Sequence, residues 1–182
     1  MRARIWLAVP AVLLAAGCAE EAPTVDVPTE PRPPVAVAAA SSGGACRLLD
    51  FAVIAEHTGG TFDVAAATER GDTHTCVVRA AGAVLPELTL SVTETSIDAA
   101  TFALDVQPSG AAKISKLGKA AYRRTLPKTA KSGPAAEVGW LATEGRLATL
   151  RWTAPTGTAK AEADKTAGKL VTLAKEIDTR RL

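Results

Sequence analysis

The side chains that could catalyse a reaction or bind a metal are few and scattered along the chain. His57 and His74 are the only histidines, and each has a carboxylate near it in sequence, Glu56 and Asp72 respectively. A metal site needs three or four convergent ligands, and no HxxxH or HExxH spacing occurs. No GxSxG or SxxK motif and no glycine-rich phosphate loop occurs either, and no spacing favours a carboxylate pair for glycoside hydrolysis. The sequence therefore predicts no catalytic residue, no metal site and no cofactor.

Basic residues are concentrated in the second half of the chain. Residues 43–110 hold 3 basic and 9 acidic side chains, whereas residues 111–182 hold 15 basic and 6 acidic ones. The densest part contains no acid and is called here the basic segment: Lys113, Lys116, Lys119, Arg123, Arg124, Lys128 and Lys131. It is a candidate binding patch for anionic lipid headgroups, a wall polymer or an acidic partner. The interpretation that the sequence favours is a solvated loop that complements the acidic first half of the same domain.

Length and composition indicate one folded domain. The chain has 182 residues, of which 47% are hydrophobic and 22% are charged, and this is enough for one domain and hardly for two. Its formal net charge is +2, but removal of a leader containing Arg2 and Arg4 leaves 19 basic and 19 acidic residues. A neutral mature chain has no strong attraction to nucleic acid, so no nucleic-acid partner is expected.

The first residues have the composition of a secretory leader. Residues 1–17 combine two arginines with a 12-residue apolar run and end in small residues. A helix needs about 20 residues to span a bilayer, so this run is too short for a permanent span. Residues 14–18 (Leu-Ala-Ala-Gly-Cys) resemble the lipobox of bacterial lipoproteins. The resemblance implies that Cys18 is lipidated, becomes the mature N-terminus and anchors the protein at the extracytoplasmic face of the cell membrane; the alternative is an ordinary leader.

Residues 18–42 are expected to form the lipidated cysteine and a disordered, proline-rich tether. Five prolines and a net charge of −3 fall between residues 19 and 42, without apolar periodicity. Proline-rich chain favours extended polyproline II at about 3.1 Å per residue, so this stretch would hold the domain up to roughly 70 Å from the membrane. One globular domain is expected over residues 43–182.

Two cysteines remain in the mature domain, Cys46 and Cys76. An exported protein lies in an oxidising environment, where two remaining cysteines usually pair. Closing a loop of about 30 residues stabilises the folded state by about 3.6 kcal/mol in the chain-entropy model. A redox or metal role is the alternative, but the chain has no CxxC motif and no further thiol in this domain. The sequence therefore predicts a structural disulfide between Cys46 and Cys76.

Local patterns predict an α+β domain, in which an antiparallel sheet is flanked by a short N-terminal helix and a C-terminal amphipathic helix. Asp50 can cap the first helix, over residues 51–58, and Gly59 can end it. A second helix is expected over residues 97–104. The last helix, from Lys160 to about Thr179, carries one apolar stripe: Ala163, Ala167, Leu170, Ala174 and Ile177.

Alternating and β-branched stretches predict the strands. They lie at residues 61–67, 73–79, 86–93, 138–142 and 147–153. A two-residue turn at Glu144-Gly145 would join the last two strands. In that register Trp140 and Trp152 point to opposite faces of the sheet, so only one of them shares the core face unless both faces are covered. An exposed tryptophan would offer a stacking surface to a ligand.

In their order along the chain, these features resemble the actinobacterial lipoproteins grouped as domain-of-unknown-function family 3558. The shared features are the lipobox at Cys18, the proline-rich tether, Cys46-Arg47-Leu48-Leu49 opening a helix that ends in Gly59, the second cysteine Cys76, residues 114–121 (Ile-Ser-Lys-Leu-Gly-Lys-Ala-Ala) and a closing helix. The resemblance covers the mature chain and implies an exported, lipid-anchored domain of this fold. It implies no activity and no catalytic residues.

These expectations favour a non-enzymatic binding or accessory module at the cell envelope, with an envelope protein, a lipid or a glycan as its partner. The alternative is a small extracytoplasmic hydrolase acting on envelope polymers, which would have a cleft containing polar side chains of shifted pKa. A third hypothesis is a carrier that holds a lipophilic ligand between the sheet and a helix.

Overall fold

Seven strands form one antiparallel sheet in the computed structural model, which describes residues 38–182. In chain order they are β1 (Val64–Arg70), β2 (Thr73–Arg79), β3 (Glu87–Glu94), β4 (Ala112–Lys113), β5 (Ala120–Leu126), β6 (Ala135–Leu141) and β7 (Arg146–Thr153). Their order across the sheet is β1-β2-β3-β7-β6-β5-β4, so β1 and the two-residue strand β4 form its edges. The expected leader, the lipidation site Cys18 and residues 19–37 of the expected tether lie outside the described residues.

Helical elements lie before the first strand, between β3 and β4, and after the last strand. They are α1 (Phe51–Thr58), α2 (Ala99–Thr101), a π-helical turn (Phe102–Val106), α3 (Lys160–Glu176) and the 3₁₀ turns Ala39–Ser42, Gly44–Leu48 and Thr179–Arg181. The predicted α+β class is confirmed, with a short helix before the sheet and an amphipathic helix after it. The helix expected over residues 97–104 is divided between α2 and the π-helical turn. Among the described residues, no helix combines the length and the apolar character needed to cross a membrane.

The predicted ends of α1 are confirmed. Asp50 caps the helix, because its carboxylate accepts hydrogen bonds from the N–H groups of Ala52 at 2.7 Å and Val53 at 3.4 Å. Gly59 ends it at φ 75°, a left-handed conformation that glycine adopts without a steric penalty. Local capping chemistry is therefore sufficient to define this helix.

The apolar stripe of α3 packs, together with α1, on one side of the sheet, called here the helix face. All members of the predicted stripe are buried: Ala163, Ala167, Leu170, Ala174 and Ile177. Except for Ala163, they lie in one core with fully buried side chains of the central strands, such as Leu90, Val138 and Leu150. Each fully buried leucine contributes about 1.5–3 kcal/mol to stability. The helix face therefore contains the main core of the domain.

The opposite side of the sheet, called here the open face, is lined mostly by hydroxyl groups where β2, β3 and β7 lie side by side. These partly exposed residues are Thr73, Thr75, Thr89, Ser91, Thr93, Thr149 and Thr153. Over β5 and β6 the same face carries a second, smaller core, in which Phe102 packs against Leu141 and against Tyr122, with the two aromatic rings 6.0 Å apart. The π-helical turn therefore covers one end of the open face.

Both tryptophans of the domain point to the helix face. Trp140 pairs with Ala148, and Trp152 pairs with Ala136, on the neighbouring strands β6 and β7. Trp140 is buried, and Trp152 is partly buried against the same core. The prediction that the two side chains lie on opposite faces is therefore wrong.

The turn between β6 and β7 explains this difference. Three residues, Thr143 to Gly145, connect Ala142 to Arg146, because the N–H of Ala142 donates to the carbonyl of Arg146 at 2.8 Å. Gly145 closes the turn at φ 80°. A three-residue turn whose last residue is left-handed is a common hairpin connection. Compared with the expected two-residue turn, it shifts the register by one residue, and such a shift moves every side chain to the other face.

The predicted disulfide joins Cys46, in the turn Gly44–Leu48, to Cys76 on β2, and both residues are fully buried. The folded part also begins earlier than expected. Ala39 is fully buried, and the hydroxyl of Ser42 donates to the carbonyl of Ala65 at 2.9 Å. Residues 39–42, which were expected to belong to the tether, therefore pack as a 3₁₀ turn against the domain.

Candidate functional site at the edge of β5

Part of the basic segment forms strands rather than the expected loop. Lys113 ends β4, and Arg123 and Arg124 lie within β5. The residues before them, Ala121 and Tyr122, are buried. Arg123 points to the helix face, as Ala121 does, and Arg124 points to the open face, as Tyr122 does. Because both faces carry an arginine here, the sequence shows no alternation of polar and apolar residues. The expectation of a solvated loop is therefore wrong for this part of the segment.

The remaining cations of the basic segment lie at the two ends of β5. Lys116, with φ 62°, and Lys119 belong to the connection from β4, whereas Lys128 and Lys131 lie in the loop after β5. A strand of this length spans about 20 Å. All members of the segment are exposed except Arg124, which is partly buried. The segment is therefore a stripe along one edge of the sheet, not a patch on one face.

Only one of these seven cations has an acidic partner among the described residues, and that partner is Glu137, which contacts Arg124. For four of the nine acids of the first half, the strand order explains why they make no ion pair with this segment. β1, β2, β3 and their turns carry four acids of the first half, and β7 and β6 separate them from β5. Three spacings of about 4.8 Å place β3 about 14 Å from β5, beyond a Debye length of ~8 Å. The basic segment is therefore not neutralised by ion pairs with the acidic first half, contrary to the expectation from the sequence.

Glu137 is the buried centre of a small polar cluster on the open face. Its Oε1 accepts hydrogen bonds from Arg124 Nε at 2.7 Å and from the Tyr122 hydroxyl at 3.1 Å. Burial, and then the negative charge of Glu137, raise the pKa of Tyr122 to about 12. The Tyr122 hydroxyl therefore stays protonated at neutral pH and donates its hydrogen bond to Glu137. This cluster holds the Arg124 side chain in place beside the strand edge.

One signal in the sequence, which the motifs described above do not include, points to this cluster. β6 consists of apolar residues except for Glu137 and Gly139, and both of these residues are buried. A Cβ atom on Gly139 would lie 2.5 Å from the ring of Tyr122, so the ring packs directly on the glycine backbone. A charged residue and a glycine on the same face of a buried strand indicate a close aromatic neighbour and a partner for the charge.

A cavity of about 530 Å³ lies between the edge of β5 and the first turns of α3. Arg123 and Arg124 line it from the strand, Lys160 and Asp164 from the helix, and Ser109 from the loop before β4. Among the described residues, Arg123 has no hydrogen-bond or ion-pair partner for its side chain, although this residue lies in the middle of the stripe. The cavity is therefore the place along the basic stripe where the edge of the sheet meets a helix.

Asp164, the acid of this cavity, is already engaged. Its Oδ1 accepts a hydrogen bond from the Thr125 hydroxyl at 2.6 Å, and both of its oxygens accept from Lys160 Nζ at 2.9 Å. The hydrogen bond from Thr125, followed by that from Lys160, lowers the pKa of Asp164 below its usual value. Asp164 therefore stays ionised at neutral pH and has little capacity to act as a general base.

The backbone adds a donor to the same cavity. The N–H of Ile114 donates to the carbonyl of Ala121 at 2.9 Å, so Ala121, Arg123 and Thr125 turn their backbone groups toward β4. β4 pairs only with Tyr122 and Arg123 and ends before it reaches Thr125. The N–H of Thr125 therefore faces the cavity rather than another strand.

The two histidines lie apart and contact different carboxylates. His57 Nε2 is 2.8 Å from an oxygen of Glu176, and this contact connects α1 to the end of α3. His74 Nδ1 is 3.4 Å from an oxygen of Glu69 on the neighbouring strand. Within residues 38–182, no three His, Cys, Asp or Glu side chains come close enough to hold a metal ion. Each histidine therefore lies next to one carboxylate, and of the two only His57 is hydrogen-bonded to it.

A second cavity, of about 560 Å³, lies at the turn between β6 and β7, but its charges are engaged in holding the C-terminus. Arg146 donates to the carbonyl of Thr179 and lies 3.8 Å from Glu94, and the hydroxyl of Thr179 donates to Glu144. Arg180, which also lines this cavity, is paired with Asp178 at 2.7 Å. This network explains how the last turn is fixed and leaves the β5 cavity as the better candidate for a binding site.

The residues that line the β5 cavity carry hydrogen-bond donors: the guanidinium of Arg123, the ammonium of Lys160, a hydroxyl and a backbone N–H. Donors of this kind bind the oxygen atoms of an anion. Its one carboxylate is held by Thr125 and Lys160. Neither the scan against protein-family models, nor the search of curated proteins, nor the search of solved structures found a match to this chain.

Proposed function

We propose that this protein is a membrane-anchored, extracytoplasmic binding module without enzymatic activity, and that its β5 edge binds an anionic partner at the cell envelope. The observation that carries the proposal is the basic stripe along this edge. Six of its seven cations have no acidic partner among the described residues, although the chain outside the leader has as many acids as bases. Like charges gathered on one edge repel each other, and such an edge raises the local concentration of anionic partners.

The cellular location in this proposal comes from the sequence. The lipobox at residues 14–18 implies lipidation of Cys18, and the resemblance to domain-of-unknown-function family 3558 implies the same location. The Cys46–Cys76 disulfide is consistent with it, because disulfides persist in oxidising compartments. The partner is a lipid headgroup, a polymer or a protein surface that carries negative charge.

Two other hypotheses have less support. An extracytoplasmic hydrolase needs a free nucleophile or a general base, and the carboxylate of the β5 cavity is occupied by Thr125 and Lys160. A lipophilic ligand between the sheet and α3 would compete with Leu150, Leu170 and Leu173, which fill that interface and are at most 2% exposed. The geometry therefore favours an electrostatic surface over a catalytic cleft or a lipid cavity.

Retention on an anionic matrix tests the binding function. The full-length protein, extracted in neutral detergent, is applied to dextran sulfate and to uncharged dextran. Replacing Lys116, Lys119 and Lys128 by glutamine should lower the salt concentration that elutes the protein from dextran sulfate. The matched control replaces the exposed α3 lysines Lys165, Lys169 and Lys175 by glutamine and should shift elution less. Equal shifts for the two triple variants would mean that the β5 edge has no special role.

Cell fractionation tests the anchor. The wild-type protein should be recovered with membranes, and Cys18→Ala should be released into the medium, because a cleaved leader leaves no lasting attachment without the acyl chains. Cys46→Ala serves as the control, since it alters a cysteine of the folded domain and not the anchor. Unchanged membrane retention of Cys18→Ala would contradict the lipoprotein assignment.

A further inference from the structure

We infer that the β5 cavity is a specific site for a phosphorylated sugar or polyol, in which Arg123 is the main ligand of the phosphate. This inference rests on the proposed function, because it names the chemical group through which the basic edge recognises its partner. The cavity lies between the helix-side surface of β5 and the first turns of α3. It is distinct from the exposed lysines at the two ends of the strand, which supply only a diffuse field.

The position of Arg123 supports a ligand in this cavity. Its side chain points to the helix face and lies beside Gly168 of α3. A Cβ atom on Gly168 would be 3.7 Å from Nη1 of Arg123. The guanidinium has no ion-pair partner among residues 38–182. A guanidinium presents a planar fork of donors that matches the oxygen atoms of a phosphate. Arg123 therefore has its full donor capacity available to a ligand.

Other donors surround the same space and are held in position. Arg124 also borders the cavity, but its Nε is bound to Glu137 on the open face, so its guanidinium is not counted among these donors. The N–H of Thr125 faces the cavity beyond the end of β4, and the hydroxyl of Ser109 lies on the opposite wall. Lys160 is oriented by its contact with Asp164 at 2.9 Å. Donors held by existing contacts bind a ligand with less loss of conformational freedom than free side chains do.

The number of donors and the size of the cavity identify the ligand class. A carboxylate has two oxygen atoms, whereas a phosphate monoester presents three acceptor oxygens and about twice the charge. The guanidinium of Arg123, the ammonium of Lys160, the hydroxyl of Ser109 and the backbone N–H of Thr125 therefore fit a phosphate better. The volume of about 530 Å³ is within the range of small-molecule sites and exceeds the need of a phosphate alone. The small side chains of Ala112 and Ala167 leave this additional space open for a sugar-sized group.

Calorimetric titration of the full-length protein in neutral detergent tests the inference. The soluble probes are inositol phosphate, free inositol and inorganic phosphate. The lipid probe is phosphatidylinositol 4-phosphate, which carries a phosphate monoester, in mixed micelles of phosphatidylcholine and the same detergent, with micelles of phosphatidylcholine and detergent alone as the blank. Inositol phosphate should bind more tightly than inorganic phosphate, and free inositol should not bind. Arg123→Gln should weaken binding of inositol phosphate by about tenfold or more. The matched control, Lys131→Gln, removes one exposed charge outside the cavity and should change it less than about twofold.

The comparison of probes shows whether the bound phosphate belongs to a soluble molecule or to a lipid headgroup. Binding of either probe supports the inference if it depends on Arg123. Equal weakening by Arg123→Gln and Lys131→Gln would overturn it, because binding would then depend on overall charge. Failure of every phosphate probe to bind, with retention on dextran sulfate preserved, would overturn the cavity site and leave the proposed function standing. Circular dichroism of Arg123→Gln verifies that the exposed substitution leaves the fold intact.

Discussion

Arg123 and Arg124 are adjacent in the chain but lie on opposite faces of β5, and only Arg124 is paired, through its Nε, with Oε1 of Glu137 at 2.7 Å. The alternation of a strand thus gives two identical side chains different environments. Arg124 compensates a buried carboxylate beside the second core. Arg123 borders the cavity beside α3 and keeps its donors unoccupied by acids of residues 38–182. Stability and binding are therefore divided between neighbouring residues.

This division predicts different stabilities for two matched variants. Arg124→Gln should lower the free energy of unfolding by about 1–3 kcal/mol, because it leaves the charge of Glu137, which is 5% exposed, without its cationic partner. Arg123→Gln should change it by less than about 0.5 kcal/mol, as is usual for an exposed side chain without partners. Urea unfolding of both variants measures the difference. Equal destabilisation would show that Arg123 also has a structural role.

Tyr122 provides an optical measurement of the same cluster, because it is the only tyrosine in the chain. Burial and the charge of Glu137 raise its pKa to about 12 from an ordinary value of 10.0. Ultraviolet titration should therefore show phenolate formation near pH 12 in the folded protein and near pH 10.0 in urea. Since the folded pKa is the higher one, this contribution to stability is complete below pH 10.0 and is lost as the pH rises through 12.

Substitution of Glu137 separates the two causes of this pKa shift. Glu137→Gln removes the charge but leaves the burial, so the pKa of Tyr122 should fall toward its ordinary value without reaching it. Glu87→Gln is the control, because Glu87 is paired with Arg79 on the open face, several strands away. A folded wild-type protein whose phenol titrates at its ordinary pKa would contradict the arrangement of Tyr122 and Glu137.

Elements whose signals are local could be predicted from the sequence. The caps of α1 at Asp50 and Gly59 depend on residues within one turn, and the stripe of α3 depends on a regular spacing that its burial confirms. The alternation over residues 86–93 likewise predicted β3, in which Leu88, Leu90 and Val92 are buried. The disulfide followed from the number of cysteines and the expected compartment. In each case one short-range pattern was enough.

Features that depend on contacts between distant segments could not be predicted. β5 was not predicted because its two arginines point to opposite faces, so that no apolar alternation appears in the sequence. The orientation of Trp140 depended on a turn of three residues instead of two, a difference that the sequence around Gly145 does not specify. The β5 cavity joins Ser109, Arg123 and Lys160, and only the strand order brings these segments together.

The disulfide should account for a large part of the stability of the domain. Replacement of both Cys46 and Cys76 by alanine should lower the free energy of unfolding by about 3.6 kcal/mol, because the closed loop of 30 residues restricts the unfolded chain. Denaturant unfolding measures this change, and the wild-type protein under reducing conditions should lose a similar amount. Detection of free thiols at both positions in exported protein would contradict the pairing.

The turn that sets the register of β6 and β7 can be tested with a pair of glycine variants. Gly145 has φ 80°, and a Cβ atom there would lie 2.9 Å from the carbonyl oxygen of Thr95. Gly157 has φ 89°, but a Cβ atom there would have no neighbour within 4 Å. Gly157→Ala should therefore cost about 1 kcal/mol for the left-handed conformation alone. Gly145→Ala should cost about 2 kcal/mol or more, since the clash adds to that penalty. Equal losses of unfolding free energy in the two variants would mean that Gly145 is not in close contact with Thr95. The three-residue register of the hairpin would then depend on another contact.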